Sequence, residues 1–128
     1  MILIDSDVLI AHLRGAAVAQ DWLLSARQGT GPLATSVIAI AEVTGGMRSA
    51  ERHNVIRLLD SLHIFPVDEI VARRAGELRR TYRRSHTGIS LGDYLIAATA
   101  DTHGLELATL NTKHFPMFPA MRPPFAVP

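Results

Sequence analysis

MILIDSDVLIAHL, residues 1–13, sets a short apolar run against two acids and then resumes an apolar pattern. Ile2, Leu3 and Ile4 read as a buried strand that stops at Asp5, and helical spacing runs from Val8 to about Leu13 before Gly15 breaks it. A strand that hands over to a helix at a carboxylate is the opening unit of an alternating α/β chain.

The pattern repeats outward from there. Ala16, Ala19, Trp22, Leu23 and Ala26 give a second helix ending at Gly29, and Gly31-Pro32 is a turn. Leu33 to Thr35 is a second short strand, and Ser36 caps a helix that runs through Glu42 to Gly45-Gly46. Ser49 is placed to cap the next helix, with Val55, Ile56, Leu58, Leu59 and Leu62 on one broad face. Ile64 to Val67 reads as a strand, and Asp68 caps a long helix with Ile70, Val71, Ala75 and Leu78 inward, ended by His86-Thr87-Gly88. Ser90 caps a helix bearing Leu91, Leu95, Ile96, Ala98 and Thr99, closed by Gly104. Leu105 to Leu110 is a further strand, and the proline-rich end offers an edge strand around Phe125. Strands buried on both faces read as continuous apolar runs, as these do, so the expectation is one α/β domain over residues 1–128 with a parallel sheet. In such sheets ligands collect beyond the carboxyl ends of the strands, where strand order reverses.

The acids stand in unusual company. Residues 1–13, 33–47 and 88–100 are strongly apolar, and each carries carboxylate without Lys or Arg: Asp5 and Asp7, Glu42, and Asp93. An isolated buried carboxylate pairs or takes up a proton. Acids set repeatedly into apolar segments point to a shared partner from outside the chain, most simply a divalent cation. Each also has a plainer reading: Asp5 as a turn or N-cap residue, Asp7 as a helix-start acid, Asp93 as the capping-box partner of Ser90, Glu42 as a polar stripe. Hard cations such as Mg²⁺ take oxygen ligands and keep several waters. The chain has no cysteine and no HExxH, which disfavours zinc, and its six histidines are scattered.

Net charge is +1, so no bulk pull toward nucleic acid or membrane follows, and 48% hydrophobic with 20% charged residues describes an ordinary folded globule. The opening is too short and too uncharged for a signal peptide, and no apolar run reaches the roughly 18 residues of a membrane span, so a cytoplasmic location is expected.

Taken in order, MILIDSDVLI, TSVIAIAEV, ISLGDYLIAATA and LATLNTKHF resemble the sequence blocks of PIN-domain ribonucleases, specifically the VapC-type toxins of toxin–antitoxin pairs, over nearly the whole chain. The resemblance implies a three-layer α/β/α domain around a mostly parallel sheet of four to five short strands. It implies Asp5, Glu42 and Asp93 as catalytic metal ligands for Mg²⁺, with Mn²⁺ as a substitute. It puts Asn111 where many members have a fourth acid, a departure, because Asn supplies an oxygen without charge. Cleavage of RNA to 5′-phosphate and 3′-hydroxyl ends, a homodimer and a VapB-type antitoxin are implied with it. Ser36 and Thr109 lie in register to assist but read first as capping and strand residues.

Six arginines fall between Arg73 and Arg84 on one helix, a solvated face or a phosphate track. Arg80, Lys113 and His114 are the expected substrate contacts. Two other functions fit parts of the pattern. A haloacid-dehalogenase-like phosphatase would use Asp5 as nucleophile and Asp7 as acid/base, but it wants a lysine before the late acid, and Lys113 follows Asp93. A PIN-like domain that binds RNA or protein without cutting would account for Asn111.

Overall fold

Three-residue strands form the centre of the molecule because only a few residues in each run escape turn and helix signals. The structure, a computed structural model, describes residues 1–126. Strands β1 (Ile2–Ile4), β2 (Ala34–Ser36), β3 (His63–Phe65) and β4 (Glu106–Ala108) make one sheet in the order β3-β2-β1-β4. Every pairing is parallel, with Leu3 opposite Ala34 and Ile4 opposite Ala108. Chain order therefore reverses at β1, which has β2 on one side and β4 on the other. Inside the layer, the Thr35 hydroxyl donates to the Ile4 carbonyl at 2.7 Å and fixes β2 against β1.

Side-chain alternation sorts the core into two halves. Leu3, Ala34 and Leu107 point into one cluster with Val71, Ala75 and Leu78 of α5 (Glu69–Tyr82) and Ile96, Ala97 and Ala100 of α6 (Leu91–His103). Ile2, Ile4 and Ala108 point the other way. They meet Val8 and Leu9 of α1 (Ser6–Leu13), Leu23 of α2 (Ala17–Thr30), and Val55 of α4 (Arg52–Asp60). Helix α3 (Val37–Gly46) touches both halves, through Ile38 and Val43. The result is the expected three-layer α/β/α arrangement with four strands.

Several local expectations are corrected. Ser49 lies inside a 3₁₀ turn, Ser49–Glu51, and Glu51 stands at the N-cap of the next helix without a side-chain cap bond, its carboxylate instead closing the turn by accepting from Arg48 N at 2.9 Å. The last strand is shorter than Leu105 to Leu110 because Leu105 N closes on Ala100 O at the end of α6, while Leu110 N turns to the Asp7 carboxylate. The third strand begins at His63 and stops before Pro66, which has no N–H to continue the ladder. No strand forms at Phe125, which follows Pro123 and Pro124 and instead packs its ring on Trp22, centroids 6.3 Å apart. Ile70, read as inward, is 66% exposed, and Ile56 and Leu91, counted with the apolar residues of their helices, are 50% and 57% exposed. The caps at Ser36, Asp68 and Ser90 form as expected, and Gly104 takes the left-handed conformation, φ 64°, that ends α6.

Phe115, only 1% exposed, carries the loop after β4 into the α5–α6 half of the core. Phe115→Ala should lower unfolding free energy by about 3–5 kcal/mol, read from urea denaturation midpoints at constant slope.

Candidate metal centre

Register brings the first two site residues together. Ile4 pairs with Ala108, so Asp5 and Thr109 leave their strands side by side at the carboxyl edge of the sheet. Thr109 Oγ1 donates to Asp5 Oδ2 at 2.7 Å, and Ser6 N donates to Asp5 Oδ1 at 2.7 Å. Asp5 is thus the N-cap of α1 as well as a member of the site. Its side chain is buried, and that burial, with the neighbouring Asp7 charge, pushes its carboxyl up to about 6 against the pull of the Thr109 and Ser6 bonds. Asp93 adds to the same upward shift.

Glu42 sits in the second turn of α3, where Ser6 Oγ donates to its Oε1 at 3.1 Å. Burial raises its carboxyl, Ser6 opposes, and the charges of Asp5 and Asp93 raise it further. Helix α6 approaches α3 at Gly92, where a Cβ would stand 3.5 Å from Ile38 Cγ2 and 3.9 Å from Glu42 Oε2, ordinary van der Waals separations. Asp93 follows in the first turn of α6, accepting from Ser90 N at 3.1 Å while Ser90 Oγ accepts from Asp93 N at 3.1 Å. The capping box therefore holds Asp93 Oδ2 and leaves Oδ1 outside it.

Asn111 and His114 border Asp93 through a 3₁₀ turn, Thr112–His114. His114 Nδ1 lies 3.0 Å from Asp93 Oδ2 and 2.9 Å from Asn111 Nδ2. A single ring nitrogen cannot donate to one and accept from the other at once. With its hydrogen in place Nδ1 donates to the Asp93 carboxylate, and Asn111 then turns its carbonyl oxygen to the ring. Lys113, in the same turn, is exposed, and Arg80 is exposed on α5.

Two roles go beyond the sequence reading, which gives Ser6 no part and places Thr109 in register to assist while taking it first as a strand residue. Ser6 joins Asp5 to Glu42, and Thr109 links Asp5 with Asp7 rather than serving as a plain strand residue. Neither has a linear signal, because each depends on which strands and helices become neighbours. Asp7 is more than a helix-start acid. Its Oδ2 accepts from Leu110 N at 3.0 Å and faces Thr109 Oγ1 at 3.3 Å, tying α1 to the end of β4. Burial raises its carboxyl, and its Oδ1 is buried without a partner. Engaged this way, Asp7 is poorly placed to shuttle a proton for a phosphatase.

Three carboxylates from three distant segments thus influence one another at a single sheet edge. Among the described residues no Lys or Arg pairs with Asp5, Glu42 or Asp93, and the one salt-bridge partner is His114. No three carboxylate or imidazole groups among the described residues close around a common point as a preformed cage. The all-oxygen donor set fits a hard cation that keeps much of its water and takes only one or two carboxylates directly.

Comparison with known proteins follows the same line. The PIN-domain family pattern matches residues 2–118. Ribonuclease VapC10 of Mycobacterium tuberculosis is 65% identical over all of this chain and 96% of its own length, and ribonuclease VapC19 of the same organism is 38% identical over 98% of this chain and 100% of its own. Among solved structures, a toxin–antitoxin complex from Klebsiella pneumoniae contains a chain that superposes with a TM-score of 0.81 at 29% identity, covering 99% of this chain and 100% of that one.

The Asp5 carboxyl has a testable stability consequence. Its value of about 6 lies above the ordinary 3.8, so the folded state holds this proton more tightly than the unfolded chain does. The group therefore favours folding below the unfolded value and progressively disfavours it as pH rises through the folded one, by about 3 kcal/mol in full. In chelator near neutral pH, Asp5→Asn should raise the melting temperature by several degrees. Below about pH 4 that gain should vanish, as followed by thermal melts across pH.

Proposed function

The chain belongs to the PIN-domain family, in its VapC ribonuclease branch, and from that premise we propose that it is an endoribonuclease toxin that hydrolyses RNA with Mg²⁺, Mn²⁺ substituting. The products are 5′-phosphate and 3′-hydroxyl ends. The observation that carries this reading is the convergence of Asp5, Glu42 and Asp93 on one sheet edge without a Lys or Arg partner. The cognate partner is a VapB-type antitoxin, the working form a homodimer, and the location cytoplasmic. No helix among the described residues is long and apolar enough to cross a membrane.

Asp5 and Asp93 are the principal ligands, and Glu42 contributes directly or through water. A bound divalent cation supplies positive charge that acidifies a water and offsets charge on the phosphodiester. The chain does the remaining work. The Ser6 hydroxyl holds Glu42 Oε1, leaving Oε2 to orient the attacking water and accept its proton. The raised affinity of Glu42 for protons suits that role. Attack in line breaks the bond from phosphorus to the 3′ oxygen, which takes a proton from solvent. The Ser90 cap and His114 hold Asp93 in place, and the Asn111 carbonyl orders a water or the ring of His114. Lys113, exposed beside them, meets substrate phosphate.

Incubation of the purified chain with total RNA, followed by mapping of the cut ends, tests the reading. Cleavage should appear with Mg²⁺, vanish in chelator, and leave 5′-phosphates. Asp93→Asn should lower the rate by at least about 100-fold, and Asn111→Ala by about tenfold, as for groups that only steady a metal site. RNA binding retained by Asp93→Asn, with no cleavage by wild type under any metal, would favour the binding-only alternative.

Cation binding should be pH dependent with a definite sign. Asp5 at about 6 and a raised Glu42 must be ionised to hold the cation, so affinity rises with pH through about 6 and levels above it. Calorimetric Mn²⁺ titration should show proton release below that value, and the Asp5→Ala/Asp93→Ala double variant should show no heat of binding.

A further inference from the structure

The arginines of α5 and of the turn that follows it divide into two groups. At the start of the helix Arg73 pairs with Glu69 at 2.9 Å, and Arg74 pairs with Glu77 at 3.0 Å and Asp101. At the far end Arg79, Arg80, Arg83 and Arg84 are all exposed, and among the described residues none has a carboxylate partner. Arg79 and Arg80 lie in the last turn of α5, Arg83 caps it with its N–H on Arg79 O at 2.9 Å, and Arg84 follows in the turn, so Arg79 and Arg83 are neighbours on the helix surface.

Position gives this second group its meaning. Helices α5 and α6 pack together and are joined by residues 83–90, so the end of α5 lies at the same end of the layer as the start of α6. That start carries Ser90 and Asp93. The connecting turn also presents an exposed His86 ring set edge-on to Tyr82, centroids 5.6 Å apart. Unpaired guanidinium groups interleaved with aromatic rings suit a single nucleic-acid strand, whose phosphates meet the charges and whose bases stack on the rings.

We propose that Arg79, Arg80, Arg83 and Arg84, with the His86 turn, form a phosphate track that leads single-stranded RNA to the Asp93 end of the acidic site. The proposal rests on the nuclease reading for its direction but not for its measurement. The track places local positive charge on a chain whose net charge is only +1. It also places that charge outside the carboxylate cluster, where it cannot neutralise the cation's ligands. Arginine near a helix C-terminus favours the helix dipole as well. That effect acts on stability and leaves RNA affinity unmoved.

The test uses fluorescence anisotropy of a labelled oligouridine about twelve nucleotides long, in chelator so that nothing is cut, across a salt series. Replacing all four arginines by glutamine should weaken binding at least about tenfold and lower the salt slope by about 3, the release expected for four single-strand phosphate contacts. Arg73→Gln/Arg74→Gln should leave affinity within about twofold. If the fourfold variant does not fold by thermal melt, Arg79→Gln/Arg83→Gln and Arg80→Gln/Arg84→Gln should each lose about half of the slope change. Unchanged affinity and slope would overturn the proposal, as would an equal loss from the Arg73/Arg74 variant. Weakened binding of a polyglutamate peptide with RNA binding intact would overturn it in favour of an acidic polypeptide. Loss of RNA binding in a chain that cleaves nothing would leave the track standing and remove the nuclease.

Discussion

Burial of the Asp5 carboxylate at the end of β1 is the constraint around which the rest is arranged. A charge in that position is tolerated because Ser6 N and the Thr109 hydroxyl both donate to it, and those bonds exist only if β1, α1 and β4 meet in one register. The same residue begins a helix, ends the central strand and faces two other acids. Glu42 and Asp93 then raise the local negative potential instead of relieving it. A fold that accumulates like charge in a half-dry pocket gives up stability there, and function is the usual reason for such a concession.

Much of this is legible in the sequence itself. The βα handover at Asp5, the cap at Ser90 and the stop at Gly104 are local devices, and local devices leave local signals. The three acids were visible because each interrupts an apolar segment without a basic neighbour. What escaped depends on distant pairings. Thr109 looks like any strand threonine until Ala108 is set opposite Ile4, and Ser6 looks like a turn serine until α3 lies beside it. Ile70 and Leu91 obey helical periodicity but sit in the first turns of their helices, and periodicity does not say how far the covering layer extends. Phe125 carries strand propensity, yet two prolines before it remove the donors an edge would need.

The two halves of the core meet the site differently. The α5–α6 half brings Asp93 in on a helix whose first turn is closed by its own capping box, so the carboxylate is aimed before anything binds. The other half brings Ser6 and Asp7 on α1, and Asp7 fastens that helix to the chain leaving β4. Helix α3, touching both halves, presents Glu42 between them. Each acid is thus supported by a different part of the hydrophobic packing, and the pocket's shape reports on the whole interior.

The bond from Thr109 to Asp5 spans 104 positions of sequence. During synthesis β1 emerges from the ribosome early and must wait for β4, its neighbour on one side, until residues 106–108 have followed. Contacts so far apart form late in folding. Until residues 106–109 have been made and have found β1, the central strand of a growing polypeptide lacks one partner and Asp5 lacks the hydroxyl that steadies it, so the acidic pocket is incomplete however early its first acid emerges.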